Sequence, residues 1–328
     1  MELFSIFTDN LLSPPILFFF LGIVSGILKS DLEVPEQISK YLATYLMMAI
    51  GFKGGVAIAN TADINGTVIS TILAGMGAGF VQPFIGYYLL KLTTKLDDLT
   101  AAAVAAHYGS ISMVTFIAAV NFLGINSIVY SGYIVAVLSL MEAPAILSGL
   151  LIAYKSKPEI TKDSPKSIFY IMKEIVTSGS ILLLLGSFFI GWMTGSKGMQ
   201  VMEGFLVTPF QGILTFFLLD MGIVISKHLS DLKEFNLRLI IFCMYMPLIG
   251  SIIGVVLSLM IGLDAGTGFL LTVLISSSSY IVVTAAMRAA LPQAKAAIYI
   301  PMSLAITFPF NITMGIPLYF VMAQKFLS

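Results

Sequence analysis

Charge is scarce in this chain. Of its 328 residues only 10% are Asp, Glu, Lys or Arg, and the 17 basic residues are balanced by 17 acidic ones. A nucleic-acid partner needs clustered positive charge, so no nucleic-acid role is expected. The single cysteine, Cys243, lies in an apolar run and has no second cysteine to pair with. His107 and His228, the two histidines, stand far apart in sequence. Neither an intrachain disulfide framework nor a Cys/His metal motif is supported, and nothing points to an organic cofactor. What is abundant is apolar: hydrophobic residues make up 58% of the chain and the mean hydropathy is +0.99. A soluble domain is about half apolar and about a quarter charged. The chain therefore reads as an all-α polytopic protein of the lipid bilayer.

A helix needs roughly 20 apolar residues to cross about 30 Å of hydrocarbon. Such runs lie near 11–28, 41–59, 67–90, 99–123, 128–154, 179–196, 205–226, 238–262, 267–290 and 297–323, which predicts ten transmembrane helices. The first run follows Glu2 and Asp9 rather than basic residues, and no small-residue cleavage site comes after it. It reads as a retained span and not a signal peptide. The long polar segment YKSKPEITKDSPKS, at 154–167, separates five spans from five. The expected organisation is a first repeat at 1–153, a cytoplasmic connecting segment at 154–178 and a second repeat at 179–328.

The two halves resemble each other. Gly22 and Gly26 match Gly191 and Gly195 at a separation of 169; His107 to Thr115 match Ser276 to Thr284, and Glu142 matches Asn311, at the same separation. A separation of 167 aligns GFKGGVAIA (51–59) with LLDMGIVIS (218–226), so that Lys53 corresponds to Asp220. An odd number of spans per repeat makes the second copy enter from the other side, so inverted repeats are expected. The basic residues agree with this. With both termini outside, the inner loops hold 14 of them and the outer segments hold only Lys197 and Lys325.

Two matched stretches, AAHYGSISMVTF (105–116) and LISSSSYIVVTA (274–285), place small hydroxyl residues deep in apolar runs. Isolated Ser and Thr in membrane helices ordinarily serve close packing. Here the clusters recur at equivalent positions, and His107, Tyr108 and Tyr280 add polar groups at the same depth. Breaks are expected at Gly109 and in the serine run, where half-helix N-termini would offer free N–H groups to an anion. Hydroxyl oxygens also suit a hard cation such as sodium. Ionisable residues within spans cost at least about 2.5 to 3.5 kcal/mol, which makes Lys53, Glu142 and Asp220 functional candidates, with His107 beside them. Lys53 and Asp220 are expected either to pair or to snorkel separately to their interfaces. Pro144 marks a kink after Glu142, and Asn311 follows Pro309. A carboxylate, a carboxamide and freed carbonyls resemble cation coordination, so Glu142 and Asn311 are candidate sodium ligands. An intramembrane enzyme built on His107 and Ser110 is a weak rival, because no carboxylate orients the imidazole. The stronger rival is a sodium- or proton-coupled transporter or exchanger for another small solute, with Glu142 or Asp220 carrying the proton.

HYGSISMVTF, SLMEAPAI, SSSYIVVTAAMRAALP and IYIPMSLAITFPFNITMGIPLY resemble the corresponding segments of the sodium-dependent bicarbonate transporter family first described in cyanobacteria. The resemblance covers nearly the whole chain and is most specific from Ser276 to Tyr319. It implies two inverted five-helix repeats forming a core domain that moves against a gate domain, a homo-trimer in a bacterial inner membrane, and import of bicarbonate with sodium. It also implies a PII-like regulatory protein docking on the cytoplasmic side. Carried over, the substrate site lies where spans four and nine cross, around Gly109, Ser110, Ser112, Ser277, Ser278 and Ser279, with Thr115 and Thr284 from the matched clusters. His107 and Tyr108 depart from the family pattern, which has a Gly/Ser/Thr cluster there.

Overall fold

In a computed structural model, residues 2–60, 66–156, 179–229 and 235–327 are described, and no strand occurs among them. Most of the expected connecting segment, with Lys157, Lys162, Lys166 and Lys173, lies outside the described residues, as does Lys233. The helices are α1 (Glu2–Leu11), α2 (Pro14–Ile27), α3 (Glu36–Ala59), α4 (Gly66–Thr93), α5 (Asp98–Gly109), α6 (Met113–Ile125), α7 (Ile134–Leu140) and α8 (Glu142–Ser156). After them come α9 (Gly179–Met202), α10 (Phe210–His228), α11 (Leu237–Ile261), α12 (Ala265–Ile275), α13 (Val282–Ala290) and α14 (Ala296–Leu327).

Among the described residues seven stretches are long and apolar enough to cross a membrane: α3, α4, Asp98–Ile125, Ile134–Ser156, Phe210–Lys227, α11 and α14. Three expected spans come out shorter as helices, each for a local reason. α9 is interrupted at Gly195, whose positive-φ backbone (φ 55°, ψ −147°) kinks it. α2 has 14 residues and starts at Pro14 and Pro15, which fit a first turn but cannot extend a helix backward. α12 has 11 residues and ends where the serine run begins. α14 contains two π-helical stretches, Met302–Thr307 and Asn311–Gly315. Asn10, at the end of α1, donates from Nδ2 to the carbonyls of Ile312 (2.9 Å) and Thr313 (3.2 Å) in the second of these.

Glycine decides how the spans cross. α2 meets α10 with Gly22 facing Gly222, and a Cβ on either would collide with the carbonyl of Leu219 or of Phe19. α3 meets α9 in the same manner: a Cβ on Gly55 would strike the Phe188 carbonyl, and one on Gly191 the Phe52 carbonyl. Bare backbone is what lets membrane helices approach so closely. Gly22 and Gly191 are aligned at a separation of 169, and Gly55 and Gly222 at 167, so the match between the halves carries one crossing onto the other. α4 and α11 each carry an internal proline, Pro83 and Pro247. Pro83 abuts Gly109, where a Cβ would collide with the proline ring, and Gly250 abuts Ile275 and Ser276. Each proline-bearing helix thus buttresses the end of a broken one.

The loops sort to two ends. Arg238 Nη1 donates to the Thr93 carbonyl (3.2 Å), Lys91 pairs with Asp98 (2.8 Å), and the Lys295 N–H donates to Thr100 Oγ1 (3.1 Å), gathering expected cytoplasmic segments together. Elsewhere the Ser131 N–H donates to Thr267 Oγ1 (2.8 Å) and Ser196 Oγ to Asn60 Oδ1 (2.9 Å), gathering expected outer ones.

Candidate functional site

The two hydroxyl clusters are breaks in helices, and they meet. α5 stops at Gly109; Ser110 is extended (φ −108°, ψ 175°), and Ser112 caps α6 by accepting the Thr115 N–H at 3.2 Å. α12 stops at Ile275, and α13 starts only at Val282. The Ser279 N–H donates to the His107 carbonyl at 2.9 Å, a main-chain bond from one break to the other.

A helix that ends inside the protein leaves carbonyls that need donors. At the end of α12 most of these donors are side chains. Gln82 Nε2 donates to the Ile275 carbonyl (2.9 Å), Asn311 Nδ2 to that of Ser276 (3.0 Å) and Ser277 Oγ to that of Val273 (2.6 Å). Asn311 Oδ1 in turn accepts from the Tyr319 hydroxyl at 2.8 Å. Ser278 and Ser303 hydroxyls pair at 2.7 Å, and Thr115 Oγ1 donates to Ser112 Oγ at 2.9 Å.

His107 and Tyr108 are struts between elements. Tyr108 donates to Thr307 Oγ1 (2.6 Å), because the Thr307 proton is spent on the Cys243 carbonyl (2.9 Å). The fully buried His107 faces the Ala103 carbonyl with Nδ1 (2.6 Å), so that nitrogen carries a hydrogen, and its Nε2 lies 3.0 Å from Thr284 Oγ1. Thr284 also reaches the Tyr280 carbonyl at 3.0 Å, so its one proton has two acceptors when the imidazole is neutral. The His107 ring lies 4.7 Å from that of Tyr299.

Between the breaks is a cavity of about 40 Å³, lined on one side by Ser112, Glu142, Ser279 and Tyr280 and on the other by Ala43, Leu46, Met47 and Phe217. On the scale on which one water needs roughly 10–15 Å³, that space holds an ion of a few heavy atoms. Met113, Val114, Ile281 and Val282 also line it, so the N-terminal turns of both α6 and α13 face it. The buried oxygens around the breaks that have no hydrogen-bond partner include Ser110 Oγ, Ser276 Oγ, Tyr280 OH, Glu142 Oε2 and Gln82 Oε1.

The expected residues divide accordingly. Ser112, Ser279 and Glu142 line the cavity, and Ser110 presents an unpartnered hydroxyl beside it. Gly109 gives α5 its close seat on Pro83. Thr115, Ser277, Ser278 and Thr284 spend their hydroxyls on structural bonds. The kink at Glu142 lies before it, at Met141, while Pro144 falls within the first turn of α8, where a proline is tolerated. Asn311 is fully buried and both ends of its carboxamide are engaged, so it braces the second break from α14. The ion pair between Lys53 and Asp220 does not form. Lys53 Nζ lies 4.0 Å over the Phe210 ring at the start of α10, ten residues from Asp220, whose carboxyl is influenced by Ser39 and Lys227. Correspondence between repeats placed the two on one pair of helices, but at different heights. Tyr280 and Ser276, noted in the sequence as polar groups of the matched stretch but given no role there, belong with the site, and the apolar wall of Ala43, Leu46, Met47 and Phe217 carried no motif at all.

No curated protein sequence matches the chain. A family model does, over residues 14–324, and it describes the Na+-dependent bicarbonate transporter superfamily.

Proposed function

The chain belongs to the Na+-dependent bicarbonate transporter superfamily, and from that premise we propose that it is a secondary active transporter that imports bicarbonate with sodium by alternating access. The substrate site is the cavity between the two breaks. What carries this reading is a space the size of a small ion lined by two residues with unpartnered buried oxygens, Glu142 Oε2 and Tyr280 OH, with Ser110 Oγ and Ser276 Oγ unpartnered in the adjoining breaks. Buried polar groups are normally satisfied, so such a group of orphans is accounted for by ligands that come and go.

The chemistry suits one anion and one cation together. The N-terminal turns of α6 and α13 bring positive dipole ends and free N–H groups, to which a singly charged planar anion can bind without a full countercharge. An ionised Glu142 in the same cavity would repel that anion. At about 5 Å and an effective dielectric constant of about 20 the repulsion is roughly 3 kcal/mol. A sodium ion between them removes this penalty, and each ion then binds better with the other present. Glu142, with the Ser110 and Ser276 hydroxyls, is the favoured source of cation ligands; Asn311 Oδ1, already accepting from Tyr319, would contribute through its second lone pair. The Ser112 and Ser279 hydroxyls are placed for the anion. Thr115, Ser277, Ser278 and Thr284 hold the breaks open, with Gly109 as the hinge point.

The architecture in this reading is ten spans in two inverted five-helix repeats. Its support is the matched glycine crossings of α2 with α10 and of α3 with α9, which would form the gate, and the paired breaks with their proline buttresses, which would form the core. Both termini lie outside. The family resemblance extends this to a homo-trimer in a bacterial inner membrane and to a PII-like regulator at the basic connecting segment.

Ser279→Leu tests the site, because three added carbons fill the cavity while the main-chain bond to His107 is kept. Bicarbonate uptake is expected to be lost in protein that still inserts, and Glu142→Gln to raise the sodium concentration for half-maximal uptake. Normal uptake by Ser279→Leu would sink this assignment.

A further inference from the structure

α3 and α10 supply the apolar wall of the cavity through Ala43, Leu46, Met47 and Phe217. Three residues beyond Phe217, on the same side of α10 and about 4.5 Å along its axis, stands Asp220. Four residues before Ala43, about 6 Å along α3, stands Ser39. In the proposed topology the two helices run in opposite directions, so both steps lead away from the cavity toward the same, cytoplasmic end, where Lys40 and Lys227 lie. Ser39 and Lys227, the latter two turns further along α10, both bear electrostatically on the Asp220 carboxyl, and the Ser39 hydroxyl also reaches the Pro35 carbonyl at 3.5 Å. Asp220 is only 3% exposed, and its Oδ2 has no hydrogen-bond partner. Lys53, the one basic residue expected within a span, is held on Phe210 at the other end of α10 and does not compensate it.

We propose that Asp220 and Ser39 form a second monovalent-cation station, one turn inward of the central cavity, which sodium occupies on its way to the cytoplasm. The assignment rests on reading the central cavity as a sodium-coupled site. Its ligand chemistry is that of a hard cation: a carboxylate oxygen without a partner, a hydroxyl from the facing helix, and water from the nearby helix ends. Phe217 separates the station from the cavity, so an ion passes from Glu142 to Asp220 only when that aromatic side chain moves. The station is weak by construction. It has one carboxylate, and Lys227 nearby adds repulsion that favours departure, as an exit step requires.

The test is bicarbonate exchange in oriented proteoliposomes, with sodium varied separately on each side. Asp220→Asn is expected to raise the half-saturating sodium concentration on the cytoplasmic side at least about fivefold and to leave the external value within about twofold. Asp220→Glu should restore most of the cytoplasmic value, and Ser39→Ala should shift it in the same direction by about twofold. If Asp220→Asn does not assemble, the Ser39→Ala shift decides: an unchanged cytoplasmic dependence overturns the station. A shift in pH dependence without a shift in sodium dependence also overturns it, since Asp220 would then carry a proton. Failure of the underlying reading looks different, because the wild-type protein would then show no sodium dependence from either side.

Discussion

Replacing Asn311 by leucine keeps the volume of a fully buried side chain and removes two hydrogen bonds, the 3.0 Å donation to the Ser276 carbonyl and the 2.8 Å acceptance from Tyr319. Hydrogen bonds between membrane helices contribute about 0.6 kcal/mol on average and up to about 1.7, because the unfolded chain in the bilayer also finds partners. Two of them therefore make Asn311→Leu about 1 to 3 kcal/mol less stable. Tyr319→Phe removes only the second bond and should cost roughly half as much. The double variant should cost no more than Asn311→Leu alone, since the tyrosine hydroxyl has already lost its acceptor. Unfolding in detergent micelles can be followed through the single tryptophan, Trp192. Uptake should fall further than stability explains, because the lost bond braces the end of α12 at the second break. Additive losses in the double variant, or an Asn311→Leu protein as stable as the wild type, would refute this account of the brace.

Three further outcomes are expected. Gly22→Leu and Gly191→Leu should each destabilise by about 1 to 3 kcal/mol or more, through collision with a facing carbonyl, whereas Gly204→Ala, with open space around it, should be near neutral; chemical denaturation of the three variants compares them. A cysteine at Ser156 should react with an impermeant thiol reagent from the cytoplasmic side only, and one at Ser328 from the outer side only; the reverse labelling would invert the topology. Lys53→Met and Asp220→Asn should act additively on stability, because the two side chains make no ion pair, and a coupling above about 0.5 kcal/mol would show that they do.

Much of this fold was legible in the sequence, because in a bilayer the two signals that matter are long apolar runs and the residues that interrupt them. The glycines that mark the helix crossings could be found by matching the halves, since only glycine permits that approach. The breaks were legible for the same reason: Gly109 and four consecutive serines do not continue a buried helix comfortably. What each polar side chain does at a break was not legible. Ser277 and Ser279 are two residues apart, yet one spends its hydroxyl on the end of α12 and the other lines the cavity, a difference set by the path of an extended segment. Asn311 read as an ion ligand, and its bonds to Ser276 and Tyr319 were not legible, because they depend on how the π-helical stretch turns α14. Lys53 and Asp220 corresponded by repeat but not by height. The wall of Ala43, Leu46, Met47 and Phe217 comes from α3 and α10, which contain neither break, and apolar residues in an apolar sequence carry no local signal.

If one cavity between two helix breaks carries bicarbonate and sodium together, uptake of labelled bicarbonate by proteoliposomes must differ with and without an inward sodium gradient. Uptake should need sodium on the outside, with each ion lowering the concentration of the other required for half-maximal transport. Bicarbonate flux that is the same without sodium would contradict this coupling.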